Sequence, residues 1–209
     1  MQRPTRSPEL TSSSSIDRKM LPGQTVLVLQ GGGALGSYQA GVYQALHESG
    51  IEPDWIVGTS IGAINASLIA GNAPERRLAR LQGFWRHVQQ PSIWNFRGAF
   101  PDFADRWSYW ETVARGIPGF FTPNPLAHVG DGFALGADRA GFYSTAPLES
   151  TLAELVDFDL INKGTPRLTV GAARVRSSQM TYFDSRRCKL GVKHINLHEA
   201  EELKVLAAE

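Results

Sequence analysis

The chain has 209 residues, 42% of them apolar and 20% charged, the proportions of one ordinary globular domain with enough apolar material for a full core. Its formal net charge is +1 and the charges are scattered, which excludes an electrostatic case for nucleic acid or for a strongly anionic surface. The single cysteine, Cys188, excludes an internal disulfide framework and a cysteine-based zinc cluster, and fits a reducing, cytoplasmic setting.

Residues 1–24 contain a run of four serines, Ser12-Ser13-Ser14-Ser15, and no apolar stretch of the length a signal peptide requires; they are predicted to form a flexible leader. No later window holds the roughly 18 consecutive apolar residues of a membrane span, so any membrane contact must be peripheral.

Val26-Leu27-Val28-Leu29 is a continuous apolar run, the pattern of a strand covered on both faces. It leads directly into Gly31-Gly32-Gly33-Ala34-Leu35-Gly36. Beyond the glycines, Leu35, Tyr38, Val42, Ala45 and Leu46 recur at helical spacing, and Gly50 stands where a helix C-terminal cap belongs. A glycine loop between a strand and a helix presents backbone N–H groups at the positive end of that helix, where anions are favoured. Two chemistries use it. One is dinucleotide binding, since Gly31-x-Gly33-x-x-Gly36 has the required spacing. The other is an oxyanion hole for a carbonyl under attack.

The next apolar run, Trp55-Ile56-Val57, ends in Gly58-Thr59-Ser60-Ile61-Gly62, after which residues 63–70 read as a small-residue helix. Strand, Gly-x-Ser-x-Gly, helix is the setting of a nucleophile elbow, in which a strained turn pushes the serine hydroxyl out of the sheet and a side chain at either flanking glycine would collide with backbone. The plain alternative is a turn whose serine only caps the helix. A dinucleotide site would need an acidic residue at the C-terminal end of this strand; Glu52 and Asp54 precede it instead, and Ser60 occupies the place.

The run from Leu29 through Gly31-Gly32-Gly33-Ala34-Leu35-Gly36 to Val42, followed by Gly58-Thr59-Ser60-Ile61-Gly62-Ala63-Ile64-Asn65-Ala66, resembles the patatin-like phospholipases, particularly bacterial members. The likeness is tight over residues 25–71 and looser over 140–187; one departure is Leu35, where many relatives carry a basic residue. The resemblance implies a three-layer α/β/α fold with a mostly parallel central sheet, here C-terminally incomplete, and a domain spanning 25–187. It also implies a lipid acyl hydrolase using a Ser–Asp dyad. Ser60 would be the nucleophile; Gly31, Gly32, Gly33 and Ile61 would form the oxyanion hole, with Gly36, Gly58 and Gly62 as motif glycines. It implies no metal and no organic cofactor, and a lipid or acyl ester as partner.

Past the elbow helix, Gly71-Asn72-Ala73-Pro74 is predicted to end one helix and start another, with Leu78, Leu81, Trp85 and Val88 on its apolar face, Arg76, Arg77 and Arg80 elsewhere, and His87 at the surface. Residues 91–127 lose periodicity and are rich in aromatics, among them Trp94, Phe103, Trp107 and Trp110. They read as a packed insertion or a cap over an acyl pocket. Ser144-Thr145-Ala146-Pro147 reads as a helix start with Leu148, Leu152, Leu155 and Val156 on one face. Asn162-Lys163-Gly164 reads as a turn, and residues 168–173 and 179–183 as two strands of a hairpin across Ser177-Ser178.

A serine hydroxyl needs a base, and the family's aspartate lies in an Asp-Gly-Gly or Asp-Gly-Ala turn that this sequence lacks. Asp131, in Asp131-Gly132-Phe133, reads as a loop aspartate, and Asp184 is the other candidate. Ser60, Asp184 and either His194 or His198 also satisfy the chain order of α/β-hydrolase triads. Residues 188–209 form a divergent tail, helical by propensity from His198. The chain stops before a dyad aspartate is expected, which leaves an incomplete enzyme or a non-catalytic lipid- or acyl-binding remnant.

Overall fold

The computed structural model describes residues 21–88, 122–123, 143–144, 146–174 and 179–195. The aromatic segment 91–121, Asp131 and His198 lie outside the described residues, as does most of the leader.

The apolar run Val26–Leu29 is strand β1; a 3-10 turn over Gly33–Leu35 leads into helix α1, Gly36–Glu48. Strand β2, Trp55–Thr59, follows, then α2, Ile61–Ala70, and α3, Pro74–Val88. Two short strands, β3 (Thr122–Pro123) and β4 (Tyr143–Ser144), pair antiparallel. The chain continues with α4 (Ala146–Leu155), α5 (Phe158–Asn162), β5 (Arg167–Arg174), β6 (Gln179–Asp184) and α6 (Val192–Ile195). The main sheet has the order β1-β2-β5-β6. β1 is parallel to β2 and β2 to β5, in the registers Leu29↔Gly58 and Thr59↔Gly171, while β6 returns antiparallel to β5. This is the mostly parallel α/β sheet expected, with the late pair of strands adjacent as a hairpin requires. Among the described residues no helix is long and apolar enough to cross a membrane.

Helix α2 sits at the centre. All ten of its residues are buried, because it packs against β1, β2 and β5 on one side and against α1 and α3 on others. A helix apolar all round belongs in such a place. Leu29, Ile56, Leu168, Val170 and Phe183 of the sheet join it in the core, with Leu81 and Phe84 of α3 and Leu148 and Leu152 of α4. The clamp between α2 and α4 is Asn72, whose side-chain amide donates to the carbonyls of Leu68 and Leu155.

Three expectations are corrected. β1 is not covered on both faces: Leu29 points to α2, but Val26 is 43% and Val28 69% exposed, as alternation along a strand dictates once one face is committed. The periodic face of α1 is not its buried face. Leu35, Tyr38 and Val42 are exposed, whereas Gly36 and Tyr43 are buried and Ala40 packs on the core; at Gly36 the close approach of Ile61 and Trp85 leaves room for no side chain. Arg77 is not on the solvent side of α3: it is 5% exposed.

Arg77 is drawn inward by Glu52. The Glu52 carboxylate accepts hydrogen bonds from the Arg77 guanidinium and the Tyr43 hydroxyl and pairs with His47 Nδ1, joining α1, the loop before β2 and α3. Burial alone would raise the Glu52 carboxyl, but the hydrogen bonds from His47, Arg77 and Tyr43 and the Arg77 charge outweigh it and hold it below its ordinary 4.5. Burial, followed by the Glu52 charge, pushes the Tyr43 phenol up. Since the unfolded chain protonates the Glu52 carboxylate at a higher pH than the folded one does, the stabilisation from Glu52 is complete above about 4.5 and is lost as pH falls through the lowered value. Glu52→Gln is expected to cost about 2–3 kcal/mol at neutral pH and to flatten the acid limb of stability against pH. Urea titrations from neutral to acid pH measure both, and an acid limb as steep as the wild type's would remove Glu52 as its source.

Candidate active site

Ser60 joins the C-terminal end of β2 to α2 with φ 54° and ψ −127°, the only positive φ of a non-glycine residue among those described. Such a conformation costs of order 1–3 kcal/mol and is held by its surroundings. The Ser60 carbonyl accepts from Ala63 and Ile64, starting α2. Its side chain makes no capping hydrogen bond, so the reading of Ser60 as a simple cap does not hold, and the residue is exposed.

Backbone crowding explains the flanking glycines. A Cβ on Gly58 would lie 2.5 Å from the Gly62 carbonyl oxygen and 2.7 Å from the Ala63 nitrogen. On Gly62 it would lie 2.1 Å from the Leu29 oxygen and 2.7 Å from that of Gln30. The elbow is thereby pressed against the end of β1, where the glycine loop begins. A Cβ on Gly31 would stand 3.3 Å from Ser60 Cβ and 3.9 Å from Ser60 Oγ. The two motifs, separate in sequence, converge on one spot.

The loop then turns through Gly32 at φ 149° and Gly33 at φ 55°, and the Leu35 N–H closes it on the Gly32 carbonyl at 3.2 Å. Among the described residues no backbone carbonyl receives the N–H groups of Gly31, Gly32, Gly33 or Ile61. They stand at the starts of two chain segments turning into helices, where partial positive charge gathers. Gly36 provides close packing: a Cβ there would be 2.4 Å from Ile61 Cγ1 and 2.6 Å from Trp85 Cζ2.

Of the other predicted residues, Asp184 and His194 are described, and neither is brought to Ser60. Asp184 pairs in register with Thr169, which is level with Val57 and not with the end of β2. Its carboxylate accepts from Arg167 Nε at 2.8 Å, from Thr169 Oγ1 at 2.6 Å and from the Arg186 N–H at 3.0 Å. The Arg167 guanidinium also lies over the Trp55 ring at 4.1 Å. Burial would raise the Asp184 carboxyl, but these hydrogen bonds and the Arg167 charge prevail and hold it below its ordinary 3.8. His194 is buried, its Nδ1 accepts from the Gly191 N–H, and its ring meets Phe183 edge-on at 5.0 Å. Burial holds its imidazole below the usual histidine value. Neighbouring strand residues face opposite ways, so Phe183, with His194 on it, is across the sheet from Asp184. The Ser60–Asp184–His194 triad is therefore not assembled. Asp184→Asn is expected to cost about 2–4 kcal/mol by stranding Arg167, seen as a lower urea midpoint, while the folded fraction keeps whatever reactivity Ser60 has towards a fluorophosphonate. Loss of that reactivity without loss of stability would restore Asp184 as a candidate base.

Sequence reasoning missed a chain of side chains behind the loop. Asn65 of α2, fully buried, donates to the Gly36 carbonyl at 2.9 Å and to Gln39 Oε1 at 3.0 Å, and accepts from Trp85 Nε1 at 2.9 Å. Gln39 Nε2 in turn donates to the Gln30 carbonyl at 2.7 Å. The signal was present: an asparagine inside an apolar helix must find partners.

The family model described as patatin-like phospholipase matches residues 27–192. Among curated relatives, the triacylglycerol lipase ptl3 of Schizosaccharomyces pombe is 39% identical over 83 residues, 40% of this chain and 17% of that protein. The lysophospholipase nte1 of Aspergillus terreus is 55% identical over 56 residues, 26% of this chain and 4% of that one. Patatin-like phospholipase domain-containing protein 7 of Mus musculus is 47% identical over 66 residues, 31% of this chain and 5% of its own length. The chain thus spans a small part of the curated relatives it matches. No solved structure matches it significantly.

Proposed function

Because this chain belongs to the patatin-like phospholipase family, we propose that it is a lipid acyl hydrolase whose nucleophile is Ser60. Ser60 Oγ attacks the carbonyl carbon of a carboxylic ester; N–H groups of Gly31, Gly32 and Gly33, with that of Ile61, hold the oxyanion; the serine proton departs with the alcohol as the ester C–O bond breaks, and water hydrolyses the acyl-enzyme, releasing the fatty acid and returning a proton to Ser60. The observation that carries this reading is the exposed, uncapped Ser60 in a strained turn against Gly31. The relatives named as triacylglycerol lipase and lysophospholipase share one substrate chemistry, the glycerol-bound fatty acyl ester, and we assign that class here. The chain meets such lipid peripherally, from the cytoplasmic side, and needs no cofactor.

A second reading is favoured by two observations. Ser60 Oγ makes no hydrogen bond among the described residues, and the Asp184 carboxylate is engaged by Arg167. A catalytically silent acyl-binding module with the same site is the alternative. One experiment separates the two: the full chain is treated with a fluorophosphonate probe and assayed for fatty-acid release from lysophosphatidylcholine and triacylglycerol. Labelling at Ser60 with release of fatty acid supports the hydrolase; a folded chain that neither labels nor turns over overturns it in favour of the silent module.

A further inference from the structure

We infer that Gln39 and Asn65 are positioning residues which, through a one-way relay starting at Trp85, fix the direction in which the glycine loop points its N–H groups; the inference rests on the oxyanion role given above to that loop. An indole nitrogen can only donate. The Trp85 N–H therefore selects the oxygen of the Asn65 amide, at 2.9 Å, which turns the Asn65 NH₂ towards Gly36 and Gln39. The Gln39 amide must then receive Asn65 with its oxygen, which turns its own NH₂ to the Gln30 carbonyl. Neither amide can rotate by half a turn without losing partners along the whole relay, and Asn65 is fully buried, so those losses are not made good by water.

The last link acts on the site. In a trans peptide the C=O and N–H point in opposite directions. Holding the Gln30 oxygen towards α1 thus aims the Gly31 N–H the other way, and Gly31 is the residue whose backbone abuts Ser60. The loop needs such a tether, because peptide planes between glycines reorient at little steric cost. A reversed plane would present a carbonyl oxygen where an oxyanion has to sit. The Asn65 bond to the Gly36 carbonyl fixes the far end of the same loop.

The test uses Gln39→Glu, which keeps the acceptor for Asn65 but replaces the donor to Gln30 by an oxygen, and Gln39→Met, which removes both at similar size. Gln39 is only half-buried, so both variants are expected to fold. Hydrogen exchange across residues 30–36 is expected to rise about tenfold in Gln39→Glu, and the rate of fluorophosphonate capture by Ser60 to fall roughly 10- to 100-fold, a fraction of the loss seen when an oxyanion donor is deleted. For a turned-over ester, kcat falls while KM stays within about twofold, the split expected of an interaction made in the transition state. Unchanged exchange in both variants overturns the inference, and so does capture that stays at the wild-type rate although exchange has risen. A wild-type chain that never captures the probe overturns the hydrolase reading instead, and exchange in the variants still decides whether the relay holds the loop.

Discussion

Ser60→Ala is expected to abolish fluorophosphonate labelling and to lower ester turnover by about 10⁴-fold or more, the scale on which removing a nucleophile acts in serine hydrolases. Its melting temperature should not fall. The hydroxyl makes no capping bond and the residue is exposed, so nothing in the fold depends on it, and the change in stability should stay within about 0.5 kcal/mol. Ser60→Gly goes further. At φ 54° and ψ −127° a glycine carries none of the Cβ strain, and the relief, less the added freedom of the unfolded chain, comes to about 1 kcal/mol of stabilisation. Loss of activity with gain of stability is the mark of a residue kept for chemistry. Calorimetry beside a labelling gel reads both. If Ser60→Ala lost more than about 2 kcal/mol, or still took up the probe at residue 60's neighbourhood, Ser60 would be a structural residue and the nucleophile would lie elsewhere.

The parts of the fold legible in the sequence are those set by neighbours along the chain. β1, the glycine loop, β2 and the elbow follow from short apolar runs punctuated by glycines, and the structure returns them with little shift. Sequence periodicity was misleading at α1, where Leu35, Tyr38 and Val42 repeat at helical spacing yet face out. The packed face of that helix is made of Gly36, Ala40 and Tyr43, and small residues that permit close approach leave no trace in a hydrophobic pattern. Long-range charge pairing was equally illegible. Nothing near Arg77 announces that Glu52 will draw it inside, and nothing near Asp184 announces Arg167 on the adjacent strand. α5 has no periodicity to read, because it is a single short helix of Phe158–Asn162, held by the Asp157 side chain accepting from the Leu160 N–H.

The candidate site divides in the same way. Ser60 and its glycines are local and were legible; their convergence depends on β1 and β2 being adjacent and parallel, which a sequence suggests but does not measure. The relay from Trp85 through Asn65 and Gln39 joins α3, α2 and α1, and no spacing rule connects those positions. The two charged clusters, around Glu52 and Asp184, lie away from the elbow and are used up in holding helices and strands together. Ser60 remains the uncommitted polar group at the point where the tightest backbone contacts meet.

Those contacts make Gly62→Ala the substitution with the largest structural effect. The added Cβ would lie 2.1 Å from the Leu29 oxygen, 2.6 Å from the Leu29 carbonyl carbon and 2.7 Å from the Gln30 oxygen, all of them backbone atoms. No side chain can rotate out of the way, so α2 must withdraw from the end of β1. Withdrawal is costly because every residue of α2 is buried, and opening its contacts on one side strains those on the others. A loss of about 4 kcal/mol or more is expected, at the far end of what single substitutions do. Gly83→Ala in α3 is the control: a Cβ there meets nothing within 4 Å, and exchanging a helical glycine for alanine should add about 0.5–1 kcal/mol. Urea titration of both variants, with labelling of whatever Gly62→Ala remains folded, tests the geometry and the chemistry together. Since the same contact presses the elbow onto the glycine loop, the surviving folded fraction should label far more slowly than the wild type. A Gly62→Ala chain that melts and labels like the wild type would mean that the elbow and the loop do not touch, and that the convergence on which the hydrolase reading stands is absent.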